Sequence, residues 1–238
     1  DHRRILGDIY LGRVEAVLPG LQAAFVDIGL EKSAFLHASD LLEPDEDEEE
    51  DEDPEIPDAD EAAEALEAVA EGKGKPSGPP GGGNGRRQRE PSRRAIPAIE
   101  EILKKGQTLP VQVTKEPINT KGSRVTAQIS LPGRFLVYMP YASKVGVSRK
   151  IESREQRSRL REMVSGMLPE DSGGVIIRTV AEGVTEDHFR REIESLMGQW
   201  KKVKRKQTYV RKAPAVLLRE TSLTRSLVRD VFSDKVDA

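Results

Sequence analysis

The sequence contains no cysteine, only ten aromatic residues and no long apolar run. Without cysteine there can be no disulfide and no thiolate metal site, which fits a reducing compartment, so we expect a cytoplasmic location. No apolar segment approaches the roughly 20 residues of a transmembrane helix, so no membrane-spanning segment is expected. The opening residues DHRRILGD lack an apolar signal core and an initiating Met, and we interpret the chain as part of a longer protein.

The net charge of −3 combines two regions of opposite sign. Residues 44–94 contain 17 acidic and 7 basic residues; subtracting these from totals of 41 and 38 leaves 24 acidic against 31 basic residues elsewhere. The remainder of the chain therefore has the sign that neutralises phosphates. Solvated Lys and Arg are common in any protein, so this excess alone supports nucleic-acid binding only modestly.

Residues 44–94 form an insert of biased composition. A run of Asp and Glu comes first, and a stretch rich in Pro and Gly follows. Neither part can bury enough apolar area to offset the entropy of ordering, so the insert is predicted to be a disordered acidic loop. A solvated spacer is a simpler interpretation than nucleic-acid contacts by the Arg cluster at 86–94, or than an acidic block that competes for the basic face.

Short apolar runs on both sides of the insert alternate with Gly and Pro. Runs of this length with such punctuation predict a small antiparallel barrel or sandwich rather than a helical bundle, with Gly12 in a turn, and the runs after the insert would complete a five-stranded barrel. The apolar runs of strand length cover residues 9–11, 14–18, 21–26, 33–36, 102–105, 109–114 and 124–129.

Phe25 and Phe35 stand out because two of the five Phe residues fall in this one predicted sheet. In small barrels that bind single strands, bases stack on such rings along a positively charged groove. A place in the hydrophobic core is the default for any Phe in a strand. Composition alone therefore leaves the core role favoured.

A second unit of strands and helices begins near Ser130. Phe189, Ile193, Leu196 and Trp200 recur at helical spacing, which predicts one buried helix face after a cap at Thr185. The run KKVKRK that follows is interpreted as a solvated helix end rather than a phosphate site. The other elements predicted here are strands at 135–139, 175–179 and 215–218, a turn or strand at 146–150, and helices over 151–168 and from Thr221 or Ser222.

One constellation in this unit has the chemistry of a phosphate site. Arg178 and Thr179 end an apolar strand, where a guanidinium and a hydroxyl can be aimed together at phosphate oxygens. A glycine such as Gly133 would let the ligand approach the backbone closely. The ordinary alternative is that Arg178 pairs with Glu182 and Thr179 satisfies a turn, and the residues alone favour it.

No catalytic or metal site is predicted within the chain. Metal-assisted phosphodiester cleavage needs carboxylates that converge on Mg²⁺, whereas the acidic residues outside the insert are scattered. His2, His37 and His188 are far apart and suggest no ligand set. For His37 a structural role is favoured over a place on a nucleic-acid face.

The motifs of the first unit resemble those of a known family. The run GLQAAFVDIG followed by EKSAFL is similar to the S1-type RNA-binding domain of the ribonuclease E/G family of bacterial endoribonucleases, and the similarity continues through VQVTKEPINTKGSRVTAQISLPGRFLVYMP. The resemblance implies that Phe25, Phe35 and Lys121 face RNA. A lone loop lysine such as Lys121 would otherwise be interpreted as a solvated charge.

The second unit carries further motifs of the same family. GGVIIRTVAEGV is similar to the family's 5′-sensor motif, and LPGRFLVYMP and GVSRKIE match its neighbouring segments. The resemblance implies that an RNA 5′-monophosphate is bound by Gly133, Val137, Arg149, Arg178 and Thr179. A monophosphate would fit these donors, whereas a triphosphate would bring extra charge and bulk.

The resemblance also implies a domain plan of the α+β class. Residues 1–8 would start an RNase H-like subdomain, 9–129 would form the S1-type OB barrel, 130–205 the α/β 5′-sensor region, and 206–238 a truncated RNase H-like part. In the family the Mg²⁺-binding acids lie in a later DNase I-like domain. We therefore expect Mg²⁺ as a cofactor of that domain and none in this chain.

The function implied is that of the RNA-binding part of an endoribonuclease that acts on single-stranded RNA in RNA processing and decay. The expected partner is single-stranded RNA, preferably 5′-monophosphorylated, and the family resemblance suggests homo-oligomers of the full-length protein. A free-standing RNA-binding adaptor without nuclease activity is the alternative from a different class. A structural partner in which the acidic loop is the working part is a weaker one.

Overall fold

A computed structural model describes residues 4–41, 97–118 and 121–220. The acidic insert and the helix predicted from Thr221 or Ser222 lie outside these ranges. No helix of the described ranges has both the length and the apolar character needed to cross a bilayer.

The first part of the chain is a closed barrel of five strands. The strands follow one another around the barrel in the order β1-β2-β3-β5-β4, and β4 pairs back onto β1. All pairs are antiparallel except β3 with β5, so the predicted five-stranded barrel is confirmed with one parallel pair. The strands are β1 (Ile9–Leu18), β2 (Ala23–Asp27), β3 (Ala34–His37), β4 (Thr108–Lys115) and β5 (Arg124–Thr126).

The turn predicted at Gly12 is wrong, because β1 runs through it without a break. A Cβ atom at Gly12 would lie 2.4 Å from Cγ1 of Val26 on the neighbouring strand. Gly12 therefore allows close packing inside the barrel rather than a change of direction.

The strand predicted over residues 102–105 is also wrong, because a short helix α1 (Ile99–Ile102) ends there and a turn follows. Ile99 and Leu103, four residues apart, are both buried in the barrel core. The side chain of Gln22 accepts a hydrogen bond from the backbone N–H of Ile99 at 3.1 Å. The buried face of residues 99–103 and the hydrogen bond from Ile99 to distant Gln22 favour a helix here. Neither contact can be recognised from the short apolar run in the sequence.

The second part of the chain is a four-stranded sheet with two helices. The strand order is β6-β7-β9-β8, and alternate residues of β7 and β9 share a core with both helices. The elements are β6 (Leu131–Pro132), β7 (Leu136–Met139), β8 (Val145–Val147), α2 (Arg154–Ser165), β9 (Gly174–Ile177) and α3 (Glu186–Tyr209).

Helix α3 confirms the predicted buried face. Phe189, Ile193, Leu196 and Trp200 are each at most 4% exposed. Thr185 occupies the N-cap position, but its hydroxyl lies 2.7 Å from Nδ1 of His188 and makes no capping bond to the backbone.

Strand β10 (Ala215–Leu218) joins the two parts and confirms the strand predicted there. It pairs with the first residues of β1, where Ile9 and Leu11 face the second core and Tyr10 faces the barrel core. Buried Gln112 of β4 also connects the barrel to the second part of the chain, because its side chain accepts a hydrogen bond from the backbone N–H of Ser130 at 2.8 Å.

Candidate nucleic-acid interface

Phe25 and Phe35 lie opposite each other on β2 and β3, on the outer face of the barrel. Their neighbours Ala24, Val26 and Leu36 belong to the barrel core, so alternation along each strand turns the two rings outward. The ring centroids are 6.2 Å apart and the planes meet at 70°, an edge-to-face arrangement. The pair is therefore outside the barrel interior.

The two rings differ in exposure. Phe35 is only 5% exposed and packs with Ala23, Leu21 and Phe25 in a small cluster separate from the barrel core. Phe25 is half-buried. Phe25 is thus the ring that can offer a face to a base, while Phe35 supports it from the side.

Arg124 is a residue of this outer face that sequence reasoning missed. It pairs with Phe35 across the parallel β3–β5 contact, and the next residue, Val125, points into the barrel. Its Nη2 atom lies 3.2 Å from Oδ2 of Asp40, which orients the guanidinium. The alternation of Arg124 and Val125 was the only sequence signal for this position.

His37 follows Phe35 by two residues on the same outer face. Its Nδ1 lies 2.8 Å from Oγ of Ser39 and 3.2 Å from the backbone N of Ser39. Burial lowers the pKa of His37, Asp40 opposes this shift and the Arg124 guanidinium adds to it. The imidazole is therefore a neutral hydrogen-bonding group at neutral pH.

Lys121 lies beside the loop that leads into β3. Its backbone N–H donates to the carbonyl of Ile118 at 2.9 Å. The following residue, Gly122, is so close to that loop that a Cβ atom would lie 2.1 Å from the carbonyl oxygen of Ser33. This packing brings the backbone of Lys121 near the start of the strand that carries Phe35.

The proposed 5′-phosphate residues lie around the outer face of the second sheet. Arg178 follows β9, and its Nη1 donates to the carbonyls of Gly133 at 2.8 Å and Arg134 at 3.2 Å. Val137 of β7 pairs with Ile176 of β9, on the side of the sheet opposite the core. The structure thus brings Gly133, Val137 and Arg178 into one neighbourhood.

Thr179 adjoins Arg178 and connects it to the next segment. Its hydroxyl lies 3.0 Å from Oγ of Ser148, which directly precedes Arg149. Arg149 itself is exposed and lines a groove of about 1010 Å³ with Lys144 and Arg161. The other four residues of the predicted site do not line this groove.

The loop at Gly133 depends on Glu192, a second residue that sequence reasoning missed. The Glu192 carboxylate accepts from the backbone N–H groups of Arg134, Phe135 and Leu136 at 2.5 to 3.0 Å. A Cβ atom at Gly133 would lie 2.6 Å from Oε1 of Glu192. No sequence pattern marks Glu192, since exposed acidic residues are common on helix α3.

The backbone N–H of Gly133 is already paired, because it donates to the carbonyl of Leu136 at 2.7 Å. In this structure Gly133 offers its carbonyl to Arg178 rather than an N–H to a ligand. Glycine is required here by the close approach of Glu192 and of the Leu136 carbonyl, 2.9 Å from a Cβ position.

Within the described ranges, no group of three or more His, Asp or Glu side chains is placed to hold a metal ion. What these ranges do contain is an outward aromatic pair with cations beside it, and an arginine–threonine pair at the end of a second sheet. The first arrangement has the groups needed to stack a base beside a phosphate, and the second has the donors needed to hydrogen-bond a phosphate.

The architecture is an α+β fold: an OB-type barrel followed by an α/β region. A sequence model described as the ribonuclease E/G family matches residues 130–238. The chain is 40% identical over 239 residues to ribonuclease G of Escherichia coli K12, covering 99% of this chain and 40% of that protein. Ribonuclease G of Haemophilus influenzae is 39% identical over 236 residues, with the same coverage.

A ribonuclease E is similar as well. That of a Synechocystis species is 35% identical over 233 residues, which is 98% of this chain and 27% of that protein. The chain belongs to the ribonuclease E/G family, and it spans about two fifths of the length of the ribonuclease G relatives.

Proposed function

We propose that this chain is the RNA-recognition part of a ribonuclease E/G-type endoribonuclease, which binds single-stranded RNA and senses a 5′-monophosphate. The observation that carries the proposal is the outward Phe25–Phe35 pair beside Arg124, on the barrel of a chain that belongs to this family. RNA processing and decay is the role that family membership supports.

Single-stranded RNA would bind across β2, β3 and β5. A base stacks on the half-buried ring of Phe25, which Phe35 holds in place from the side. Arg124 and Lys121 supply positive charge for the phosphates next to that base. Stacking requires an unpaired base, so this surface favours single strands over duplexes.

The 5′-monophosphate would bind at the end of the second sheet. Arg178 donates from Nη1 to the carbonyls of Gly133 and Arg134, which holds the guanidinium at the end of β9, where its positive charge would attract the phosphate. The Thr179 hydroxyl can donate to a phosphate oxygen in place of its contact with Ser148. Val137 offers apolar surface for the terminal nucleotide.

Cleavage would belong to a different part of the enzyme. The family resemblance assigns the magnesium-binding carboxylates to a DNase I-like domain, in which Mg²⁺ would generate the attacking hydroxide or stabilise charge on the phosphate. The chain of 238 residues would then bind RNA without cutting it.

Binding assays on Arg178→Ala test the sensor. Affinity for a 5′-monophosphorylated oligonucleotide should fall by about 1–3 kcal/mol, as for loss of a charge-assisted hydrogen bond, while affinity for the 5′-hydroxyl form stays constant. Arg190→Ala, at an exposed position of helix α3, removes the same charge and is the control. Equal losses for both RNAs would make Arg178 purely structural and overturn the sensor assignment.

The barrel surface is tested in the same assay with Phe25→Ala. Both RNAs should lose roughly 1–3 kcal/mol, the value of one lost base stack, because stacking does not depend on the 5′ end. Unchanged affinity with an intact fold would rule out Phe25 as a stacking residue.

A further inference from the structure

The C-terminal end of helix α3 and the turn after it concentrate positive charge. Seven of the twelve residues from 201 to 212 are Lys or Arg, and none is Asp or Glu. All seven cations are exposed. Within the ranges that the structure describes, no carboxylate lies within 4.0 Å of any of them.

An exposed tyrosine lies among these cations. Tyr209 is 77% exposed, although helix α3 has enough apolar contacts to bury Trp200 and Val203. At 100° per residue, Lys202, Arg205 and Tyr209 lie on the face opposite those buried residues, and Lys206 lies at the edge of that face. These four residues define the helix-end basic surface.

The turn that follows the helix-end basic surface contacts the barrel. Pro214 lies next to Gly29 in the β2–β3 connection, where its Cγ is 3.4 Å from a Cβ position. The guanidinium of Arg13 on β1 also donates to the carbonyl of Ala213. The turn that follows α3 is therefore packed against the hairpin that carries Phe25 and Phe35.

We propose that the helix-end basic surface is a second binding site for single-stranded RNA, which takes the part of the strand that extends beyond the barrel. Lys202, Arg205 and Lys206 would neutralise phosphates and release counterions. Tyr209 would stack on one unpaired base, a combination of cations and an exposed ring that is typical of single-strand binding. This inference rests on the proposed RNA binding by the barrel.

A pair of 5′-hydroxyl oligouridylates separates the two sites. A probe of about 6 nucleotides fits one barrel, whereas one of about 20 nucleotides exceeds the usual footprint of a single OB fold. The variant Lys202→Gln/Arg205→Gln/Lys206→Gln should weaken binding of the long probe only. Its slope of log affinity against log salt should become shallower by about two, as expected for three lost contacts to a single strand.

The matched control makes the same three changes at exposed cations elsewhere: Lys104, Arg154 and Arg159. The control removes the same charge at positions outside the helix-end basic surface. Its salt slope for the long probe should therefore stay near that of the unmodified chain. Equal changes in slope for the two triple variants would show general electrostatics and overturn the proposal. Equal weakening of the short probe by the helix-end variant would overturn it too.

Tyr209→Leu tests the stacking step without a change in charge. Long-probe affinity should fall about fivefold or more, while Tyr209→Phe retains the ring and the affinity. If Tyr209→Leu binds the long probe as tightly as the unmodified chain, Tyr209 is not a stacking residue. The short probe tests the barrel separately. If the barrel does not bind RNA as proposed, Phe25→Ala will leave affinity for the short probe unchanged.

Discussion

At the scale of single residues, the recognition surfaces depend on positions whose neighbours hold them in place. Arg124 is oriented by Asp40, and Arg178 is oriented by the carbonyl of Gly133. Gly133 in turn lies in a loop whose three following N–H groups are held by one carboxylate, that of Glu192. Glu192 is therefore a positioning residue for the proposed phosphate site, although it would not touch RNA.

Glu192→Gln should release that loop. The amide keeps one acceptor oxygen but brings N–H donors towards backbone N–H groups, so about 1.5–3 kcal/mol of folding stability should be lost. The preference for 5′-monophosphorylated over 5′-hydroxyl RNA should fall, while affinity for 5′-hydroxyl RNA at the barrel stays constant. Glu194→Gln, two residues along and exposed, is the control for denaturant unfolding and binding. Identical behaviour of the two variants would contradict a positioning role.

The sequence could predict the candidate residues but only part of their environment. Alternation around Ala24 and Leu36 explains why Phe25 and Phe35 face outward, yet the near-complete burial of Phe35 depends on packing with Leu21 and its partner ring. The contacts of Arg178 with Gly133 and of Glu192 with the loop join residues 45 and 56 to 58 positions apart. Such contacts leave no local pattern.

At the scale of elements, prediction succeeded where periodicity was long and failed where packing was decisive. Helix α3 was predicted because four buried side chains recur over three turns. Gly12 was interpreted as a turn because glycine usually marks one, whereas in the barrel it accommodates Val26. Helix α1 is only four residues long, too short for a helical period to be recognised.

Substitution by alanine should have opposite effects on folding stability at Gly198 in helix α3 and at Gly12 in strand β1. A Cβ atom at Gly198 would meet nothing within 4 Å, so Gly198→Ala should stabilise the fold by about 0.5–1 kcal/mol through helix propensity and a less flexible unfolded chain. Gly12→Ala should destabilise it, because its Cβ would clash with Val26. Denaturant unfolding measures both, and a destabilising Gly198→Ala would be inconsistent with the open space around that position.

At the scale of the whole molecule, β1 and β10 connect two cores that carry two different recognition surfaces. β1 turns Tyr10 into the barrel core and Ile9 and Leu11 into the core of the second sheet. We propose the barrel surface for unpaired bases and the Arg178 neighbourhood for a terminal phosphate. Because β10 is hydrogen bonded to β1, and Ile9 and Leu11 of β1 pack in the core of the second sheet, we expect one RNA to meet both proposed surfaces in a fixed relation.

The most direct measurement is equilibrium binding of the unmodified chain to one short single-stranded RNA prepared with either a 5′-monophosphate or a 5′-hydroxyl. We predict that both bind and that the monophosphate binds more tightly by about 1–3 kcal/mol, the contribution of charge-assisted contacts to the phosphate. Equal affinities would contradict the 5′ sensor, and no binding of either RNA would contradict the proposed RNA-recognition function as a whole.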